Sequence, residues 1–135
     1  MAEAWMNVMC GGEWIAESAG LSPGTLNPLA VEAMAEVGID ISNHPTRDVF
    51  EVWKSGVLFS HVITVCDEAS AERCPIFPGP AFREHWSFPD PAAFTGSHEE
   101  RLAKTREVRD AIREKIEEWC VANCPMDERV TALLA

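Results

Sequence analysis

Positive charge is what this 135-residue sequence has least of: 11 Lys and Arg stand against 22 Asp and Glu, for a net charge of −11. Such a surface repels phosphate backbones and anionic lipid headgroups, which argues against nucleic acid and membranes as partners. Long apolar runs are missing too, and none approaches the roughly 18 residues of a membrane span. The start, MAEAWMNVMC, lacks the basic region of a secretory signal. Repeats and low-complexity segments are absent. An even number of cysteines is absent as well: there are five. In a chain without an export signal, thiols point to a reducing cytoplasm, where they serve redox or metal chemistry more often than structural bridging. The expectation is a cytoplasmic, thiol-rich protein.

What is present is the composition of an ordinary globular chain, 47% apolar and 24% charged, at a length that fits one domain. Ala2, Trp5, Met6 and Met9 recur at helical spacing, and Gly11-Gly12 end the run. GEWIAESAG reads as a short buried strand at 14–18 closing in a turn at Gly20. Asn27-Pro28 opens a helix with Asn as cap and Pro in the first turn, faced inward by Ala30, Ala33, Met34 and Val37 and stopped by Gly38. IDISNHP is extended. A less regular helix, 46–54, leads to a strand at 60–66, and HWSF, 85–88, is another short strand. A long helix runs from His98 to Cys120 with Leu102, Val108, Ile112, Ile116 and Trp119 inward. On its outer face Glu100 and Lys104 are spaced to pair. The domain spans 1–122, and 123–135 is a short helical tail.

Strands alternating with helices predict an α/β fold with a parallel sheet, whose reacting groups gather beyond the carboxyl ends of the strands. The stretch VITVCDEASAERCPIFPG, 62–79, fits that rule. Cys66 falls at a strand's end and at the start of a short helix, where the helix dipole favours thiolate. Asp67, Glu68 and Glu72 oppose it, and a buried core cysteine is the bland alternative. Cys74 follows eight positions on. Asp90-Pro91 has the form of a capped helical turn. Cys120 and Cys124, in CVANC, either close a plain helix end, form a dithiol, or join Cys66 and Cys74 in a four-thiolate zinc site. His44 and His85 read as structural histidines. One feature departs from the α/β pattern: the chain opens inside a helix, with neither an N-cap nor a strand to enter from.

MAEAW, SAGL, NPLAVEAM, GIDISNH, VITVCD, CPIFPG, HW and DPAAFTGS occur in this order. Together they resemble the thioredoxin-coupled arsenate reductases of the low-molecular-weight protein tyrosine phosphatase fold, over roughly residues 1–119. The resemblance implies a three-layer α/β domain with helices on both faces of the sheet, which has four strands in the family and three remaining here. It implies a first strand and a Cys-x5-Arg-Ser loop upstream of Met1. That loop carries the nucleophile, a cysteine or selenocysteine, so the chain as written is expected to be inactive. The absent strand is an interior one, and a slot between 14–18 and 60–66 is expected in its place.

By the same resemblance Cys66 is the thiol that resolves the arsenic adduct and Cys74 the thiol that takes over the disulfide. Asp90 is the acid that protonates the leaving oxygen. The implied partners are arsenate, or a phosphate-like oxyanion, and thioredoxin or a similar dithiol. No cofactor or metal is expected. The rivals are a phosphatase of the same fold and a non-catalytic thiol- or zinc-binding protein.

Overall fold

The computed structural model describes residues 1–12, 14–20, 26–65, 77, 79 and 81–123. Its elements are α1 (Ala2–Met9), α2 (Pro28–Glu36), α3 (Val49–Lys54), β1 (His61–Thr64), β2 (Phe82–His85), a 3-10 helix (Pro91–Ala93) and α4 (His98–Asn123). The fold is mixed α/β. Its sheet is parallel, with two strands among the described residues, β1 against β2, and His61 stands opposite Phe82 and Thr64 opposite His85.

Local chemistry sets the helix ends. Asn27 Oδ1 accepts from the Leu29 N–H at 2.9 Å, and Pro28 occupies the first turn, where its missing N–H removes no helical bond. At the other end the Ile39 N–H returns to the Met34 carbonyl and the Gly38 N–H to that of Ala35, both at 3.0 Å. This double closure needs a left-handed residue, and Gly38 supplies it at φ +81°. Asp48 caps α3 through the Phe50 N–H at 2.8 Å, which places the start of that helix at Val49 and not at residue 46.

α4 presents Leu102, Thr105, Val108, Arg109, Ile112, Ile116, Trp119 and Cys120 on one buried stripe and packs against both α1 and α2. Trp5 and Met6 from α1, Met34 from α2, Ile41 and Trp86 join it in one core. Arg109 is the stripe's polar member. Its guanidinium donates to the Ala33 carbonyl and to Asp110, each at 2.8 Å, so a charge inside the α2–α4 seam is fully engaged. Nearby, Arg106 Nε donates to both oxygens of Glu36 at 2.9 and 3.0 Å. The hydrogen bond from Arg106 holds the Glu36 carboxyl below its ordinary range, and that from Arg109 does the same for Asp110. Both carboxylates face solvent, so these pairs contribute orientation more than stability.

Several sequence expectations are corrected. Residues 14–18 are not assigned as a strand, because among the described residues they have no strand neighbour to pair with. The second strand is Phe82–His85 and not 85–88: the Trp86 N–H makes its last rung, to the Thr64 carbonyl at 2.7 Å, and the Trp86 ring then turns into the core. Val37 is 40% exposed, since it caps α2, while Leu29 takes the buried place. Glu100 and Lys104 do not pair with each other among the described residues. Instead Lys104 Nζ lies over the Phe94 ring, 5.9 Å from its centre. The helix expected after Cys66 and the tail 124–135 lie outside the described residues.

Candidate active site

Strand alternation determines which backbone groups are spent. The rungs to β2 begin at the Ser60 carbonyl, which accepts from Phe82 at 2.9 Å, and end at that of Thr64. The N–H and C=O of His61, Ile63 and Val65 therefore point to the other side of β1. Across from them runs Trp14–Gly20. There Ala16 exchanges two hydrogen bonds with the Asn7 side-chain amide, 3.1 and 3.3 Å, and Gly20 bridges to Arg47 and Val49, both at 2.9 Å. No backbone hydrogen bond among the described residues joins these two walls.

Between the walls lies a cleft of about 570 Å³. Its lining includes Met6, Trp86, Ile116 and Trp119 from the core and Ile15, Ala19, His61 and Ile63 from the walls. Ile15 is 91% exposed, an unusual setting for isoleucine beside an apolar cavity. The indole N–H groups of Trp14 and Trp86 are buried with no hydrogen-bond partner among the described residues, and both rings line the cleft. Each such donor costs about 1–3 kcal/mol while it lacks an acceptor. His61 is boxed by Trp14, Phe82 and Trp119, with ring centres 4.8, 5.1 and 5.4 Å away. The shape and the unspent strand edge together suit an extended polypeptide segment.

Polar groups stand at the rim. Glu3 accepts from Ser18 Oγ at 2.7 Å and lies 3.6 Å from His44 Nδ1, tying α1 to both neighbouring loops. Asp90 also lines the cleft. Its Oδ1 accepts from the Ala92 N–H at 2.9 Å as the cap of the 3-10 helix, and Oδ2 makes no hydrogen bond among the described residues. Capping and proton donation can thus coexist on one carboxyl. Thr64 Oγ1 and His85 Nδ1 are 2.6 Å apart across the last register pair, consistent with a structural histidine.

Cys66 and Cys74 lie outside the described residues, as does Cys124. In sequence, Cys66 directly follows Val65, which lines the cleft. Among the described residues there is no group of three or more metal-ligating side chains. Cys120 is joined to Cys10 in a disulfide, and the other three members of the four-thiolate grouping lie outside the described residues. That pairing had no signal in the sequence, because the two residues are 110 positions apart. Asn7 and Arg109 were missed as well, since each looks like an ordinary polar residue of a helix face.

No protein-family model matches the sequence. Among curated proteins the chain is similar to the arsenate reductase of Bacillus subtilis, 45% identical over 121 residues, 88% of this chain and 84% of that protein. It is similar to arsenate reductase 2 of Staphylococcus saprophyticus, 41% identical over the same shares. Among solved structures it resembles an arsenate reductase in the oxidised state, with a TM-score of 0.70 and 25% identity over 87% of this chain and 82% of that one. An arsenate reductase from Archaeoglobus fulgidus gives a TM-score of 0.57 and 28% identity over 85% and 86%.

Proposed function

Because this chain belongs to the arsenate reductases, we propose that it reduces arsenate to arsenite through Cys66 and Cys74 once a nucleophile-bearing segment is seated in the cleft. The single observation that carries the reading is the 45% identity over 121 residues. The cleft supports its finer part. It offers an unspent strand edge and a facing wall, and a strand inserted there would bring a loop to the rim beside Asp90. The sheet would then gain an interior strand, with the segment supplied by residues ahead of Met1.

The reaction needs two electrons for As(V). The nucleophile's thiolate or selenolate attacks arsenic, and Asp90 protonates the departing oxygen, which leaves as water. Cys66 thiolate then attacks the arsenic-bound sulfur or selenium. The pair in the bond to arsenic stays with arsenic, arsenite departs, and Cys66 is bonded to the nucleophile. Cys74 thiolate attacks Cys66, releasing the nucleophile and forming a Cys66–Cys74 disulfide. Thioredoxin, or another dithiol of the cytoplasm, reduces that disulfide and so supplies the two electrons.

The test is arsenite release with a thioredoxin system, measured on the 135-residue chain and on the chain extended through its in-frame upstream codons. The expected result is no release from the first and turnover from the second, with a Cys66–Cys74 disulfide in non-reducing digests when reductant is withheld. Turnover by the 135-residue chain alone would overturn the proposal for the nucleophile. Turnover of the extended chain without that disulfide would overturn the roles of Cys66 and Cys74.

A further inference from the structure

Away from the 62–79 segment, the fold brings a second pair of cysteines together. Cys10 closes α1, and Cys120 lies near the described end of α4. They are 110 positions apart in sequence, with Cα atoms 6.3 Å apart and their sulfurs bonded. That separation is one a disulfide spans without backbone movement. Both residues are buried in the core cluster, 4% and 6% exposed. Met6 stands one helical turn before Cys10 and Ile116 one turn before Cys120, and both line the cleft. A bridge at this point fastens the two helices beneath the cleft floor.

We propose that Cys10 and Cys120 form a second redox dithiol, a modification site that small-molecule disulfides oxidise and that clamps α1 to α4. Access comes from position. Cys10 is the C-terminal cap of α1 and is followed by Gly11-Gly12, and helix ends open at low free energy. A Cβ at position 11 would collide with the Asn7 carbonyl oxygen, so the turn after Cys10 admits only glycine there.

The chemistry balances with a small disulfide, RSSR, as oxidant. One protein thiolate attacks RSSR, forming a protein–S–SR bond and expelling RS⁻. The second protein thiolate attacks the protein sulfur of that mixed disulfide and expels the other RS⁻. Two protein thiols lose two electrons and two protons, and RSSR becomes two RSH. Excess RSH runs the sequence backwards, so the pair reports the state of the small-thiol pool. This inference does not rest on the arsenate reading.

The test uses the chain with Cys66→Ser, Cys74→Ser and Cys124→Ser, which leaves only this pair, incubated with oxidised glutathione. The expected result is loss of both titratable thiols and a cross-linked Cys10–Cys120 peptide after digestion. The melting temperature should rise by on the order of 10 °C, because the bridge closes a long loop, and excess reduced glutathione should reverse the change. The unsubstituted chain, treated and digested in the same way, must yield the same peptide, which guards against misfolding of the variant. Glutathione adducts without a cross-link would overturn the proposal. So would thiols that stay fully alkylatable, or a cross-link that leaves the melting temperature unchanged.

Discussion

Cys66→Ser, introduced into the chain extended upstream of Met1, should lower steady-state arsenite release by on the order of 10³-fold or more, because nothing else in the relay can break the bond to arsenic reductively. The nucleophile would still bind arsenate and lose water. Its adduct, denied a second thiol, can only hydrolyse back to arsenate. Cys74→Ser should behave differently. Arsenite would leave once, about one equivalent per chain, and the protein would then stall with Cys66 bonded to the nucleophile. A single-turnover assay of arsenite per chain separates the two variants. Equal behaviour of both would contradict the order of the relay, and wild-type turnover by Cys66→Ser would remove Cys66 from it.

Ile116→Ala should cost the fold about 3–4 kcal/mol, within the usual range for truncating a buried isoleucine. Ile116 is fully buried and sits where α4 meets both the core and the cleft floor. Removing three methyl or methylene carbons there loses their transfer free energy and leaves a void beside Met6 and Trp86, which are fixed from other elements. The void opens toward the cleft, so collapse of the surrounding helices can refill only part of it. Urea unfolding would show the loss as a lower midpoint at unchanged slope. Glu114→Ala, on the exposed face of the same helix, is the control and should stay within about 0.5 kcal/mol. A cost below about 1 kcal/mol at residue 116 would mean that the α4 stripe does not anchor the core.

Periodicity made α4 legible. Leu102, Val108, Ile112, Ile116 and Trp119 were expected inside from spacing alone, and all are buried. The Asn27 cap and the Gly38 stop were equally readable, because each end of α2 is decided by one residue's local chemistry. Strands were less so. A strand exists only with a neighbour, and 14–18 carries strand-like residues but spends its backbone on Asn7 and on the bridge at Gly20. A cleft lies between Trp14–Gly20 and β1, and the first of these walls is not a strand. Asp90 was expected as a cap and as the acid, and the cap is formed, through the Ala92 N–H. What sequence could not carry was contact between distant helix positions. Cys10 with Cys120 and Arg109 with the Ala33 carbonyl arise only once α1, α2 and α4 pack.

The central claim is that the cleft is a seat for an extended segment, and amide hydrogen exchange along β1 tests it most directly. In the 135-residue chain the His61, Ile63 and Val65 amides should exchange fast, while those of Phe82 and Trp86, bonded to β1 carbonyls, are protected. In the chain extended upstream, the same three amides should become as protected as their neighbours. Unchanged exchange at His61, Ile63 and Val65 on extension would contradict the account, because the cleft would then take no strand.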